Sequence, residues 1–294
     1  MEILQKLTSV AMLTFVLSSM LAMGLSLRIS EIIHPLRSPR LVALSLVANF
    51  IVMPVAALAL AKLLLLQQPF GVGLLVLGSA AGAPFLPKLA QIAKGNLAFA
   101  VGLMVMLMVI TVGYLPLVLP LLLPGVTVNP AKIAASLFLL MLLPLGIALA
   151  INARSPNFAA RVRPTLNKVS SLSLMLLILL LVVTNINSVL AVFGTRAILA
   201  GLIFIFLGYL VGWLLGGPGA DTRPVLGLGT AQRNIAAALV VASQSFTDPK
   251  VVVMVVIVAI VGLLILFPLS RSLAKKQPGE AAVGIEVGAG STPS

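Results

Sequence analysis

Apolar runs of about 20 residues recur along the whole chain, and they constrain its fold more than any other feature. A run of that length is enough for a helix to cross the hydrocarbon core of a bilayer. Hydrophobic residues make up 61% of the 294 positions and charged residues only 9%, which leaves no room for a separate water-soluble domain. The sequence therefore predicts an all-α polytopic membrane protein.

Nine of these runs are expected to form transmembrane helices, separated by short Pro, Gly or basic connectors. Their approximate ranges are 7–27, 41–66, 70–92, 97–123, 131–152, 165–190, 195–217, 222–246 and 250–270. Residues 1–276 form one transmembrane domain in this interpretation. Residues 277–294 are mostly small and polar, which predicts a disordered tail.

The basic residues are unequally divided between the two ends of the predicted bundle. If the N-terminus is outside, thirteen Lys and Arg residues lie on the inner side and five on the outer side. The positive-inside rule then predicts a multi-pass protein of the cell membrane with a cytoplasmic C-terminus. Because these residues are spread over connectors and form no single basic stripe, the net charge of +13 does not indicate nucleic-acid binding.

The residue types argue against an enzyme. The chain has no cysteine, its single histidine, His34, falls in a connector, and none of the nine predicted spans contains Asp or Glu. Acid–base and nucleophilic chemistry within the membrane therefore lack side chains to perform them. No P-loop or HExxH pattern is present, so any transport must be driven by a gradient.

Two of the predicted spans contain helix-breaking residues at similar places. LGSA at 77–80 precedes Pro84 and Pro87, and the near copy LGTA at 228–231 lies in the eighth span. Proline removes a backbone donor, and glycine lowers the cost of unwinding. Interrupted helices in the two halves of a membrane protein are typical of a transporter binding site, because freed peptide groups can hold ions or substrate.

Arg233 follows the second of these motifs and falls within the eighth span. An arginine near the bilayer centre costs roughly 2.5–3.5 kcal/mol, so it must face an interior and find partners. With no carboxylate in any span, we expect backbone carbonyls, polar side chains such as Asn49, Gln232 or Asn234, or a bound anion. Lys88 is a second candidate, for which snorkelling to the interface is an equal alternative.

Four segments carry a resemblance to a known family. They are MGLSLR at 23–28, NFIVMP at 49–54, AKGNLAFAV at 93–101 and GTAQRNIAAAL at 229–239. In their order and spacing, the chain resembles the bile acid:sodium symporter superfamily over nearly its full length. The resemblance implies an inverted repeat, here of four plus five helices because the family's first helix has no counterpart. It also implies a panel domain (7–27 and 131–190), a core domain (41–123 and 195–270), and two broken helices that cross.

The resemblance also locates the sodium ligands of related proteins. The positions that match the first ion's ligands offer no side-chain ligand; they are Leu86, Pro87, Ala100, Met104 and Gly229. Those that match the second ion's ligands keep one amide, that of Asn49; they are Asn49, Gly229, Thr230, Gln232 and Arg233. Asn234 matches an asparagine near the substrate.

These observations predict a secondary transporter of a small organic anion, with no resident cofactor. We expect Arg233, with Lys88 as a second candidate, to supply the positive charge that sodium supplies in relatives. The expected substrate-binding residues are Asn49, Lys88, Thr230, Gln232, Arg233 and Asn234. The alternatives are a sodium symporter that binds its ion through backbone carbonyls alone, and a membrane sensor that binds an anion without moving it. The sequence does not specify the substrate, the direction of transport or the oligomeric state.

Overall fold

The computed structural model describes residues 2–28, 30, 38–123 and 129–276. Every regular element in these ranges is a helix, which confirms the all-α prediction for the described part of the chain. His34 and the predicted disordered tail at 277–294 lie outside the described residues.

Twelve helices are labelled here in chain order. They are α1 (Glu2–Gly24), α2 (Pro39–Leu63), α3 (Gln68–Ser79), α4 (Leu86–Ile92), α5 (Leu97–Leu122), α6 (Pro130–Arg154), α7 (Pro156–Thr184), α8 (Ile186–Phe193), α9 (Ala197–Leu215), α10 (Thr222–Ala231), α11 (Ile235–Ser245) and α12 (Pro249–Lys276).

Eight helical segments in the described part of the chain are long and apolar enough to cross a membrane. They are α1, α2, α5, α6, α7, α9, the pair α10 and α11 taken together, and α12. The chain is therefore a multi-pass membrane protein. The third predicted span, 70–92, is the one that has no single long counterpart in the described residues: it is divided between α3 and α4, and α3 has only 12 residues. Nine spans and an inverted repeat thus stay predictions.

The sixth predicted span, 165–190, is misplaced relative to the helix that forms. Helix α7 starts at Pro156 and ends at Thr184, and residues 186–193 form the separate helix α8. Proline is favoured in the first turn of a helix, where its missing N–H costs nothing, so the helix begins within the basic connector. It also continues past the internal Pro164.

A wide helical turn in α2 has a simple cause. Pro54 has no N–H, so the carbonyl of Phe50, four residues earlier, loses its helical partner. Residues Ala48–Val52 form a π-helical turn, and the Tyr114 hydroxyl of α5 donates to the Phe50 carbonyl at 2.5 Å. The π-helical turn contains Asn49, whose side chain is fully buried.

Helices α1, α6 and α7 pack against one another. Helices α1 and α6 approach each other closely at Gly24, where a Cβ atom would lie 2.5 Å from the Leu145 carbonyl oxygen. Beyond α1, the Asn152 amide of α6 donates to the Leu27 carbonyl at 2.8 Å. The backbone contact requires glycine at position 24, and the two contacts together join α6 to the C-terminal end of α1 and the residues that follow it.

A second set of contacts surrounds the interrupted helices: α10 packs on α9, and α12 packs on α3, α9 and α11. The two sets meet where α6 begins and α11 ends. There the Lys132 ammonium donates to the Gln244 carbonyl at 3.2 Å, and the Ser136 hydroxyl donates to the Gln244 side-chain oxygen. One end of the interface is therefore closed by polar contacts.

Candidate functional site

Two non-helical segments lie side by side inside the protein. Residues 80–85 separate α3 from α4, and residues 232–234 separate α10 from α11. The Asn234 backbone N–H donates to the Ala80 carbonyl at 2.9 Å, and the Asn234 side-chain amide donates to the Gly82 carbonyl at 3.0 Å. The Asn234 side-chain oxygen accepts from the N–H of Ala237 and so caps α11. One residue therefore joins both segments.

The first segment requires glycine at position 82. Gly82 has φ +79°, and a Cβ atom there would lie 2.2 Å from the Met108 backbone nitrogen of α5. The neighbouring peptide groups find their partner on α5 as well, because the Thr111 hydroxyl bonds both the N–H and the carbonyl of Ala81 at 3.0 and 3.1 Å. Non-helical backbone at membrane depth is tolerated when the protein satisfies it in this way.

The second segment begins where α10 ends. The Gln232 N–H makes the last helical bond, to the Leu228 carbonyl at 2.8 Å, and Gln232 itself is extended with ψ 114°. Helix α10 approaches α9 closely through Gly227, where a Cβ atom would lie 3.0 Å from the Tyr209 ring. Small residues thus let α10 sit deep in the bundle.

Arg233 is almost fully buried, with 3% of its surface exposed. Its Nε donates to the Leu77 carbonyl at 3.3 Å. One terminal nitrogen donates to the Asn49 side-chain oxygen at 2.7 Å and the Thr230 carbonyl at 3.2 Å. The other donates to the Gly78 carbonyl at 2.6 Å and the Asn49 carbonyl at 3.4 Å. A guanidinium has five N–H groups, so all of them are directed at protein oxygen atoms.

The charge of Arg233 is stabilised by dipoles. The Leu77 and Gly78 carbonyls lie in the last turn of α3, and the Thr230 carbonyl lies in the last turn of α10. The C-terminal end of a helix carries a negative partial charge, which favours a cation there. Asn49 is held in place because its amide nitrogen donates to the Ser45 carbonyl at 3.0 Å and the Thr230 hydroxyl at 3.2 Å.

The structure brings most of the sequence-predicted residues together. Asn49, Thr230 and Arg233 are in direct contact, and Asn234 is the next residue along the segment. Lys88 lies apart from this cluster: its side chain is exposed and its ammonium is 3.4 Å from the side-chain oxygen of Gln91.

Gln232 and Ser79 also lie at this crossing, and both have a buried side-chain oxygen without a hydrogen-bond partner in the described residues. Gln232 was predicted from its place beside Arg233, whereas Ser79 was not singled out, although it belongs to the LGSA motif. The sequence analysis also did not identify Thr111 and Tyr114 as residues that support the crossing. Both are hydroxyl-bearing residues in an otherwise apolar helix, and that feature could have indicated them.

The residues that the sequence resemblance assigns to a first sodium site lie among leucine side chains. A Cβ atom at Gly229 would lie 2.8 Å from the Leu86 side chain and 3.2 Å from that of Leu103. Sodium is a hard cation that needs several oxygen ligands, and hydrocarbon offers none. At the positions of the second site, the Asn49 side-chain oxygen and the Thr230 carbonyl already accept from Arg233.

The helices and the buried polar crossing define a multi-pass membrane protein of transporter type. The chain belongs to the Sodium Bile acid symporter family, whose members are transporters, because the family matches residues 12–192. Arg233 lies beyond that range.

Curated relatives agree with this family membership. The probable sodium/metabolite cotransporter BASS2, chloroplastic, of Oryza sativa subsp. japonica is 26% identical over 241 residues, which cover 80% of this chain and 57% of the relative. The probable sodium/metabolite cotransporter BASS6, chloroplastic, of Arabidopsis thaliana is 26% identical over 245 residues, covering 79% and 60%. The chain thus spans less than two thirds of these relatives' length.

Proposed function

We propose that this protein is a secondary transporter of a small organic anion that carries its own fixed cation. The observation that supports this most directly is the guanidinium of Arg233, held by oxygen atoms from α2, α3 and α10. A permanent positive charge at that place substitutes for the sodium ion that a symporter binds. The core then moves against the panel to expose one central site to each side in turn.

In this proposal, α3 with α4 and α10 with α11 are two broken spans that cross. Helices α1, α6 and α7 belong to the panel, and the helices around the crossing belong to the core. The positive-inside rule places the N-terminus outside and the C-terminus in the cytoplasm, in a cell membrane.

Arg233 acts through its charge and not through a direct bond to the anion, since its five N–H groups are used by the protein. The anion binds beside Asn234 instead. The Asn234 amide spends one hydrogen on the Gly82 carbonyl and has a second to donate. The N-terminal end of α11, which Asn234 caps, adds a positive partial charge at the same place.

Sodium coupling is the second candidate, and the geometry disfavours it. The relatives are named probable sodium/metabolite cotransporters, which is the reason to consider coupling to sodium here. A site built from backbone carbonyls alone would have to use those at the crossing, and Leu77, Gly78 and Thr230 already accept hydrogen bonds from Arg233.

Counterflow in liposomes tests the proposal. Purified protein is reconstituted, the liposomes are loaded with one unlabelled organic acid of a panel, and uptake of the labelled acid is measured. We expect counterflow for at least one small carboxylate, and its loss in Arg233→Gln but not in Arg196→Gln, because Arg196 is an exposed residue outside the crossing. Saturable binding without counterflow of any acid would favour a sensor and contradict transport.

A further inference from the structure

The side-chain oxygen of Gln232 is a buried hydrogen-bond acceptor that receives no hydrogen bond from the part of the chain that the structure describes. Gln232 is 5% exposed, and its side-chain oxygen has no hydrogen-bond partner among the described residues. Its backbone N–H makes the last helical bond of α10, to the Leu228 carbonyl, which holds the residue at the crossing. Buried polar atoms are usually paired, so an unpaired one in a native structure points to a bound water, ion or ligand group, or to local strain.

A small cavity of about 10 Å³ lies against this side chain. Gln232 and Arg233 are its polar lining residues, and the rest of the lining is apolar, including Leu77, Ile205 and Leu266. A space of this size accepts a group as large as one water molecule and excludes a whole organic anion. The cavity therefore fits a single small substituent.

The group that fits must donate a hydrogen bond. The Gln232 oxygen can only accept, and Arg233 has no N–H group left to offer. An ordered water usually has two to four polar partners, and among the lining residues Gln232 alone brings side-chain polar atoms that make no hydrogen bond within the described protein. A hydroxyl that belongs to a larger bound molecule needs only that one bond, because its other contacts hold it in place.

We propose that Gln232 accepts a hydrogen bond from a hydroxyl group of the transported anion and so selects hydroxylated acids. This inference rests on the proposed anion transport, and it names Gln232 as a specificity-determining residue. A site built to bond a hydroxyl rejects the analogue that lacks it, because the buried acceptor is then left unpaired.

Matched pairs of acids test this without knowledge of the natural substrate. Binding of lactate and propionate, 3-hydroxybutyrate and butyrate, and malate and succinate is measured by thermal shift on the purified full chain. We expect the hydroxylated member of at least one pair to bind about tenfold more tightly, as for one hydrogen bond. In Gln232→Met this preference disappears, the affinity for the plain acid is kept, and the Tm of the empty protein rises. Gln68→Met, the same change at an exposed glutamine, leaves all three unchanged.

The outcomes separate this inference from the proposed function. Equal binding of both members of every pair that binds would overturn the role of Gln232 and leave anion transport standing. No binding of any acid, together with no counterflow of any acid, would overturn both. If Gln232→Met raises the Tm while the hydroxyl preference persists, a water molecule and not the substrate uses this acceptor, and the inference is wrong.

Discussion

Removing the guanidinium of Arg233 should loosen the crossing itself. Two of its five hydrogen bonds are short, at 2.7 Å to Asn49 and 2.6 Å to Gly78. A bond to a charged group contributes about 1.5–3 kcal/mol, so these two represent about 3–6 kcal/mol. Burying a charge costs several kcal/mol, which offsets part of that gain. For Arg233→Met we therefore expect a net loss of roughly 2–4 kcal/mol, or a fall in Tm of roughly 5–15 °C.

Intrinsic fluorescence in detergent can follow this unfolding. The chain has one tryptophan, Trp213, on helix α9, which packs against α10. Arg233→Lys should fall between wild type and Arg233→Met, because an ammonium keeps the charge but has only three donors on one atom. Arg196→Met is the control, since Arg196 is exposed and its hydrogen bond to the Leu64 carbonyl is 3.5 Å long. A Tm of Arg233→Met within about 1–2 °C of wild type would correspond to a change of less than about 1 kcal/mol in the free energy of unfolding. That result would refute the view that this side chain holds the crossing together.

Three further predictions concern the crossing and the closed end of the interface. Gly82→Ala should lower the free energy of unfolding by at least about 2 kcal/mol in thermal unfolding, because Gly82 has a positive φ and lies against the Met108 backbone. Gly113→Ala is the control: a Cβ atom there would meet nothing within 4 Å, so the change should be neutral or stabilising. Gly229→Glu should lower the Tm without creating sodium binding by calorimetry, since leucine side chains fill the space; a sodium-dependent rise in Tm would contradict this. The chain has no native cysteine, so cysteines can be introduced at Ser136 and Gln244, which are in contact at the closed end of the interface. A short thiol cross-linker between them should block transport, whereas each single-cysteine variant should remain active. Unimpeded transport after full cross-linking would show that this contact need not open.

The presence of membrane helices could be predicted from sequence because apolar length alone decides whether a helix can span a bilayer. The first residue of α7 could not be predicted in the same way, since its first turns carry polar and basic residues that are typical of a connector. In the structure these residues form a helix that begins at a proline and packs on α1. Amphipathic helix ends at a membrane surface do not differ from connectors in hydropathy.

For the buried Arg233, the kind of partner could also be predicted from the sequence, but the particular partners could not. The sequence predicted that Arg233 needs carbonyl or amide partners, because no span contains a carboxylate. Which oxygens these are depended on the path of two unwound segments, and Leu77 and Gly78 contribute only backbone atoms that no side-chain pattern reports. The isolation of Lys88 from the cluster was equally hidden, because helix α4 sets its direction.

The central claim is that a fixed guanidinium takes the place of a mobile sodium ion. The most direct measurement is the initial rate of uptake of a transported acid into proteoliposomes as external sodium is replaced by choline, from about physiological sodium down to none. We expect a rate that does not change with sodium for the wild-type protein and no uptake at any sodium concentration for Arg233→Gln. A rate that rises and saturates with sodium in the wild-type protein would contradict it.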